Sequence, residues 1–117
     1  MPRGAWGKTR TSLLVRDHLI KVGKDSIYNT WKAVLKALED KPYLKPTYSN
    51  IRILFYILRR LGLIRKVSTQ PSSKKGFYSK HLYTVVKAKA DSELWLNPYE
   101  ALYRPSTFKK RMHLVFE

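Results

Sequence analysis

The chain has 117 residues, 24 Lys and Arg against 8 Asp and Glu, a formal net charge of +16 and no cysteine. That length suits one domain able to bury roughly two thirds of its unfolded surface, and a hydrophobic content of 44% excludes a disordered polyelectrolyte. The missing cysteines exclude disulfides and thiolate zinc sites and fit a reducing, cytoplasmic setting.

A heat-adapted, lysine-rich surface would raise Glu together with Lys to build ion-pair networks; here the acids are lacking. An uncompensated excess of this size repels itself and is best explained by a polyanion that neutralises it, so nucleic acid is the expected partner. The excess is also uneven. No acid stands between Asp40 and Asp91, an interval that holds twelve Lys and Arg. The first residues, Met-Pro-Arg-Gly-Ala-Trp-Gly-Lys, lack the apolar core of a secretory signal. The longest apolar run, from Ile53 to Leu58, is too short to cross a bilayer, and no membrane partner is expected.

Residues 1–10 carry Arg3, Lys8 and Arg10 with two glycines and Trp6 and show no periodicity. They read as an extended basic arm for phosphate or groove contact, with Trp6 free to stack on a base. Gly7-Lys8-Thr9 is no phosphate-binding loop: Pro2 stands where that loop needs a glycine, and there is no room for a preceding strand. A domain over residues 11–90 follows. Thr11 or Ser12 starts a first helix with Leu13, Leu14, Leu19, Ile20 and Val22 on or near its inner face and Gly23 after it. Asp17 and His18 are adjacent, leave a helix about 100° apart, and form no natural acid–base pair. Lys24-Asp25-Ser26 is a turn and cap. The second helix runs to about Asp40 with Ile27, Trp31, Val34, Leu35 and Leu38 as its apolar stripe, which makes Trp31 a core anchor. Pro42 and Pro46 then force an extended connection rather than a tight turn.

The third helix is expected after a cap at Thr47 or Ser49, with Ile51, Leu54, Phe55, Leu58 and Leu61 inward and Gly62 as its stop. That placement turns Ser49, Asn50, Arg52, Ile53, Tyr56, Arg59 and Arg60 outward. Beyond Gly62 the pattern becomes strand-like on both sides of a Pro/Ser/Lys/Gly loop, Ser68 to Gly76, with Lys74 and Lys75 at the tip and Arg65, Lys66 and Lys80 on the flanks. His18, His81 and His113 are too far apart in sequence to propose a metal cluster.

A helix that stops at Leu-Gly-Leu-Ile and leads into a hairpin resembles the recognition helix and wing of winged helix-turn-helix domains. The resemblance implies an α+β winged helix, a three-helix bundle plus a β-hairpin wing, with a basic N-terminal arm and a C-terminal extension. It further implies that the N-terminal half of the third helix, Tyr48, Ser49, Asn50, Arg52, Ile53 and Tyr56, meets the nucleic acid. Lys45, Arg59, Arg60, Arg65, Lys66, Lys74, Lys75 and Lys80 would then serve the backbone. The long proline-bounded connection departs from the family's usual tight turn.

Residues 91–117 form the extension. Asn97-Pro98-Tyr99-Glu100 reads as N-cap, first-turn proline and N3 glutamate, and Arg104-Pro105 stops that short helix. Phe108 and Lys109-Lys110-Arg111, three further candidate nucleic-acid contacts, precede an apolar close, Met112 to Phe116, that suggests a strand. The extension either folds back on the domain or packs on a partner, such as a neighbouring ribosomal protein.

No nucleophile–base pair, carboxylate cluster, nucleotide loop or metal constellation survives these checks, so no enzyme and no cofactor are expected. In size, charge and layout the chain resembles the small basic winged-helix ribosomal proteins of archaeal and eukaryotic small subunits. The first expectation is therefore a structural RNA-binding protein of a ribonucleoprotein, with rRNA as partner. The alternative is a DNA-binding winged-helix regulator or chromatin protein on duplex DNA.

Overall fold

The computed structural model describes residues 3–71 and 79–116, and the side chains of 11–68 and 81–112. The fold is α+β. In chain order it comprises α1 (Arg3–Val22), α2 (Ile27–Ala37), α3 (Tyr48–Arg60), β1 (Ile64–Pro71), β2 (Ser79–Val85), α4 (Pro98–Tyr103) and α5 (Pro105–Phe116). Single 3-10 turns occupy Pro42–Leu44, Lys87–Lys89 and Glu93–Leu96. β1 and β2 pair antiparallel.

Helix α1 departs from the expected extended arm, because it begins at Arg3 and carries residues 3–10 as its first turns. The two glycines lower helix propensity without breaking the backbone ladder, and no proline follows Pro2 in this segment to break it. The inner stripe is Ser12, Val15 and Leu19, all fully buried, with Leu13 and Leu14 half-buried beside it. Ile20 and Val22, expected near the core, are exposed. Ile20 leaves the helix about 100° round from Leu19, and Val22 sits in the last turn.

Gly23, at φ +89°, ends α1, and its amide donates to the Leu19 carbonyl at 2.9 Å. The next residues do two things. Asp25 pairs backbone to backbone with Tyr83 of β2, with N–H···O distances of 3.0 and 2.8 Å, and Ser26 caps α2 by accepting from the Asn29 amide. This short bridge ties the α1–α2 turn to the hairpin. The Asp25 carboxylate also meets His18 Nε2 at 2.7 Å, so His18 pairs across the turn and Asp17 is left to Arg16. Helix α2 ends at Ala37, short of the expected Asp40, and the chain leaves through a turn.

In α3, Thr47 and Asn50 form a reciprocal capping box. Ile51, Leu54, Phe55, Ile57 and Leu58 are buried; Ile57 adds to the expected stripe and Leu61 is only half-buried. Gly62 takes φ +73°. Its amide donates to Arg59 and the Leu63 amide to Leu58, both near 3 Å, the paired bonds of a Schellman stop. Leu63 returns to the core, Ile64 pairs with Val85, and a bulge at Val67 shifts the register between Lys66 and Ser68.

The extension folds back on its own domain. Trp95 is fully buried in the main core; its indole N–H donates to the Lys89 carbonyl at 2.9 Å, and its carbonyl accepts from buried Ser12 Oγ at 2.7 Å. Asn97 caps α4 as expected. The close that suggested a strand is helical instead: Pro105 opens α5, with φ already set for a first turn, and Phe108 and Met112 at i and i+4 pack with Ala101, Leu61, Leu94 and Leu96.

Trp95→Ala should therefore cost about 3–5 kcal/mol in urea unfolding, whereas a loose tail would tolerate it with no measurable loss. The Asp25 carboxyl is pushed up by burial but pulled further down by hydrogen bonds from His18, the Ser26 amide and Asn29 and by the neighbouring imidazole charge. Its ionisation below the ordinary value stabilises the fold fully above pH ~3.9, and that contribution is lost as pH falls through the lower folded value. Thermal melts should show a shallower acid-side decline for Asp25→Asn than for the wild type, below about pH 4 and not above it.

Candidate nucleic-acid interface

Five buried positions fix the rotation of α3, and the exposed arc follows from it. At about 100° per residue, Tyr48, Ser49, Arg52, Ile53, Tyr56, Arg59 and Arg60 span roughly 140° of the helix surface. All seven are exposed and none is acidic. Gly62 then turns the chain so that Arg65 and Lys66, also exposed, follow within the first three pairs of the hairpin. Lys45 is exposed just ahead of the cap.

Aromatic rings, in place of carboxylates, steady two of these cations. The Arg59 guanidinium lies 5.7 Å from the Tyr83 ring centre. Arg60 lies 5.9 Å from the Tyr56 ring centre and donates to its hydroxyl at 3.3 Å. Among the described residues, none of Lys45, Arg52, Arg59, Arg60, Arg65 or Lys66 forms an ion pair; the pairs are Arg16–Asp17, His18–Asp25 and Arg111–Glu100. A polyanion approaching α3 would meet cations with no internal competitor among the described residues.

Two sequence candidates are engaged elsewhere. Asn50 Oδ1 accepts from the Thr47 amide at 3.1 Å and from the Thr47 hydroxyl at 2.8 Å. A bidentate contact to adenine uses that same oxygen, so Asn50 would have to open the cap to read a base. Arg111 is half-buried and bound to Glu100 at 3.1 Å, which leaves Lys109 and Lys110 as the exposed bases of α5. Arg3, Lys8 and Arg10 ride on the first turns of α1 and Lys80 on β2, with side chains outside the described set. Lys74 and Lys75, the expected wing tip, lie outside the described residues.

The structure adds residues that the sequence reading did not single out. Tyr28 and Lys32, one turn apart on α2, lie beside Trp31 and Tyr48. The three rings meet at centroid distances of 5.8 Å (Tyr28–Trp31), 6.1 Å (Tyr28–Tyr48) and 5.6 Å (Trp31–Tyr48), tilted or edge-on. Trp31 is half-buried against the core, as a core anchor should be, and its indole N–H donates to the Pro46 carbonyl at 3.0 Å. Lys32 Nζ stands 5.5 Å from the Tyr28 ring centre. Tyr28 and Lys32 at i and i+4 were visible as an outer face of α2; their juxtaposition with Tyr48 depends on the path of the proline connection.

Elsewhere, a shallow groove of about 330 Å³ is lined by Leu13, Arg16, Asp91, Ser92, Glu93, Trp95 and Leu96. Arg16 is bound there to the Ala90 carbonyl and to Asp17, and the groove's other charges are acidic. Among the described residues no three His, Cys, Asp or Glu side chains are grouped to hold a metal ion, and no helix is long and apolar enough to cross a membrane.

Because the capping box carries the start of α3, Thr47→Ala should lower unfolding stability by about 1 kcal/mol, read as a drop in urea midpoint without a change in slope. A result within error of the wild type would mean that the box contributes nothing. No protein-family model, curated protein or solved structure matches the chain, so any function must be argued from these residues and their placement.

Proposed function

We propose that this protein is a structural RNA-binding component of a ribonucleoprotein particle, a ribosomal protein on rRNA in the first instance, working in the cytoplasm without catalysis or cofactor. The observation that carries the reading is the acid-free face of α3 and β1, where Lys45, Arg52, Arg59, Arg60, Arg65 and Lys66 stand exposed with no ion-pair partner among the described residues. A winged-helix arrangement fits this face. The order of three helices and a hairpin, the helix stop at Gly62 and the Asp25–Tyr83 bridge between the α1–α2 turn and β2 all support it.

RNA is favoured over duplex DNA by what the face offers. Its cations suit phosphates, and the residue type best able to read adenine in a major groove, Asn50, is tied into the helix cap. An A-form major groove is too deep and narrow for α3 to enter, so on RNA the helix would lie across phosphates. The exposed Arg52, Ile53 and Tyr56 of α3 are what keep duplex DNA as the second reading, a winged-helix regulator or chromatin protein.

Affinity for a structured RNA should fall on the order of 10³-fold between 50 and 200 mM salt, as expected for six or more phosphate contacts. Titrations at graded salt, with duplex DNA as competitor, measure this. A flat salt response would remove the electrostatic basis of the reading, and a preference for one DNA duplex over structured RNA would move it to the second. In extracts the protein should co-sediment with ribosomal particles at low salt and leave them at high salt.

A further inference from the structure

We propose that Tyr28 and Tyr48 form an aromatic platform for an unpaired nucleobase of RNA, one ring stacking on the base and the other meeting its edge, with Lys32 and Arg52 beside it to hold the flanking phosphates. This rests on the RNA-binding reading above and names the part of the RNA that the α2–α3 corner takes.

The first ground is exposure without slack. Tyr28 keeps 50% and Tyr48 38% of its surface in solvent. Neither ring is on a loose segment: Tyr28 is in the first turn of α2 behind the Ser26 cap, and Tyr48 is the first residue of α3 behind the Thr47 cap. Trp31 sits between them and is pinned to the Pro46 carbonyl. The interplanar angles run from 57° to 66°, so no two rings of the cluster are stacked in parallel. A pre-oriented aromatic surface of this kind loses little entropy on taking a flat ligand.

The second ground is the charge around the rings. Lys32 lies over Tyr28, and Arg52 follows Tyr48 by four residues, one turn along the exposed face of α3. A base stacked on one tyrosine and edged by the other would carry its phosphates on the side of these two cations, the combination by which proteins hold single-stranded nucleic acid. A protein partner would have to supply acids to the same corner. Tyr48 is shared between the platform and the α3 face, so one RNA could place a loop nucleotide on the corner and its stem phosphates along α3.

The test uses the full chain and three probes: an RNA hairpin with an adenine-rich loop, its stem closed as a blunt RNA duplex, and a DNA hairpin of the same sequence. Binding is read by anisotropy at one fixed ionic strength, with melts of each variant to confirm folding. The wild type should prefer the hairpin to the duplex. Tyr28→Ala and Tyr48→Ala should each reduce that preference by about 10- to 100-fold, while Tyr28→Phe and Tyr48→Phe, which keep the rings, should retain it. On the hairpin, the salt slope of the alanine variants should match the wild type, since no phosphate contact is removed; Arg52→Ala should lower it by about 1. The platform is overturned by alanine variants that keep the wild-type preference, by a wild type that binds hairpin and duplex equally, or by tighter binding of the DNA hairpin. A wild type that binds none of the three probes overturns the nucleic-acid reading itself, a different and recognisable failure.

Discussion

The turn at Gly62 decides where this protein's positive charge ends up. At φ +73° the residue occupies a conformation that costs an L side chain roughly 1–2 kcal/mol, and the paired bonds to Arg59 and Leu58 close α3 at that point. Leu63 drops straight back into the core, and its carbonyl accepts from the Val86 amide, fastening the far end of the hairpin at the same place. Arg59 and Arg60 therefore close the helix, and Arg65 and Lys66 open the strand, within one tight turn. A one-residue slip of the strand would turn Ile64 outward and Arg65 toward the core. The C-terminal end of α3 also bears the negative end of its dipole, which favours the two arginines placed there.

A chain with this much positive charge has to limit its own repulsion, and its few acids are used economically. Asp25 joins His18 while its backbone bridges to β2, Glu100 joins Arg111 beneath α4 and α5, and Asp17 joins Arg16 near the groove. The first two of these pairs link one segment to another, and the third lies within α1. Arg59 and Arg60 of α3 receive ring faces and a tyrosine hydroxyl instead, contacts that orient a guanidinium without neutralising it. Asp25 and Glu100 thus serve the fold, and the cations of α3 and β1, without an ion pair among the described residues, face outward. Self-repulsion of this kind falls when a polyanion binds, so the proposed RNA partner would also stabilise the native state.

Much of this was legible in the sequence where a local rule governs. The stop at Gly62, the Asn97 cap and the inward set of α3 follow from backbone conformation and periodicity, Thr47 proves to be the cap of the two candidates Thr47 and Ser49, and α3 obeys these rules almost residue by residue. The ends of the chain were not legible. Two glycines suggested an arm where α1 is helical, and an apolar run suggested a strand where α5 is helical, because continuing a helix is cheaper than starting one. The return of the extension could not be read either. Trp95 has no local pattern that announces a core residue; it is held by Ser12, 83 positions away, and by the Lys89 carbonyl. In the same way Asn50 has the chemistry of a base reader, and only the Thr47 contacts show that its oxygen is already committed.

That commitment bears on what kind of recognition this surface favours. With Asn50 closing the cap, Asn29 bound to Asp25 and Arg111 held by Glu100, the groups left outward on α3 and α2 are mainly guanidiniums, ammonium groups and tyrosine rings, with one isoleucine and the Ser49 hydroxyl. Cations bind phosphates whatever the sequence, and ring faces accept any base, so neither depends on base-pair identity. A regulator that must find one operator needs several fixed donors and acceptors on base edges, and this face has few of them. A protein that holds one place in a folded RNA needs a match of shape between phosphates and a rigid scaffold, with an occasional unpaired base to set the register. The Gly62 turn, the capped start of α3 and the Trp31–Pro46 bond supply that rigidity at the places where the proposed contacts lie.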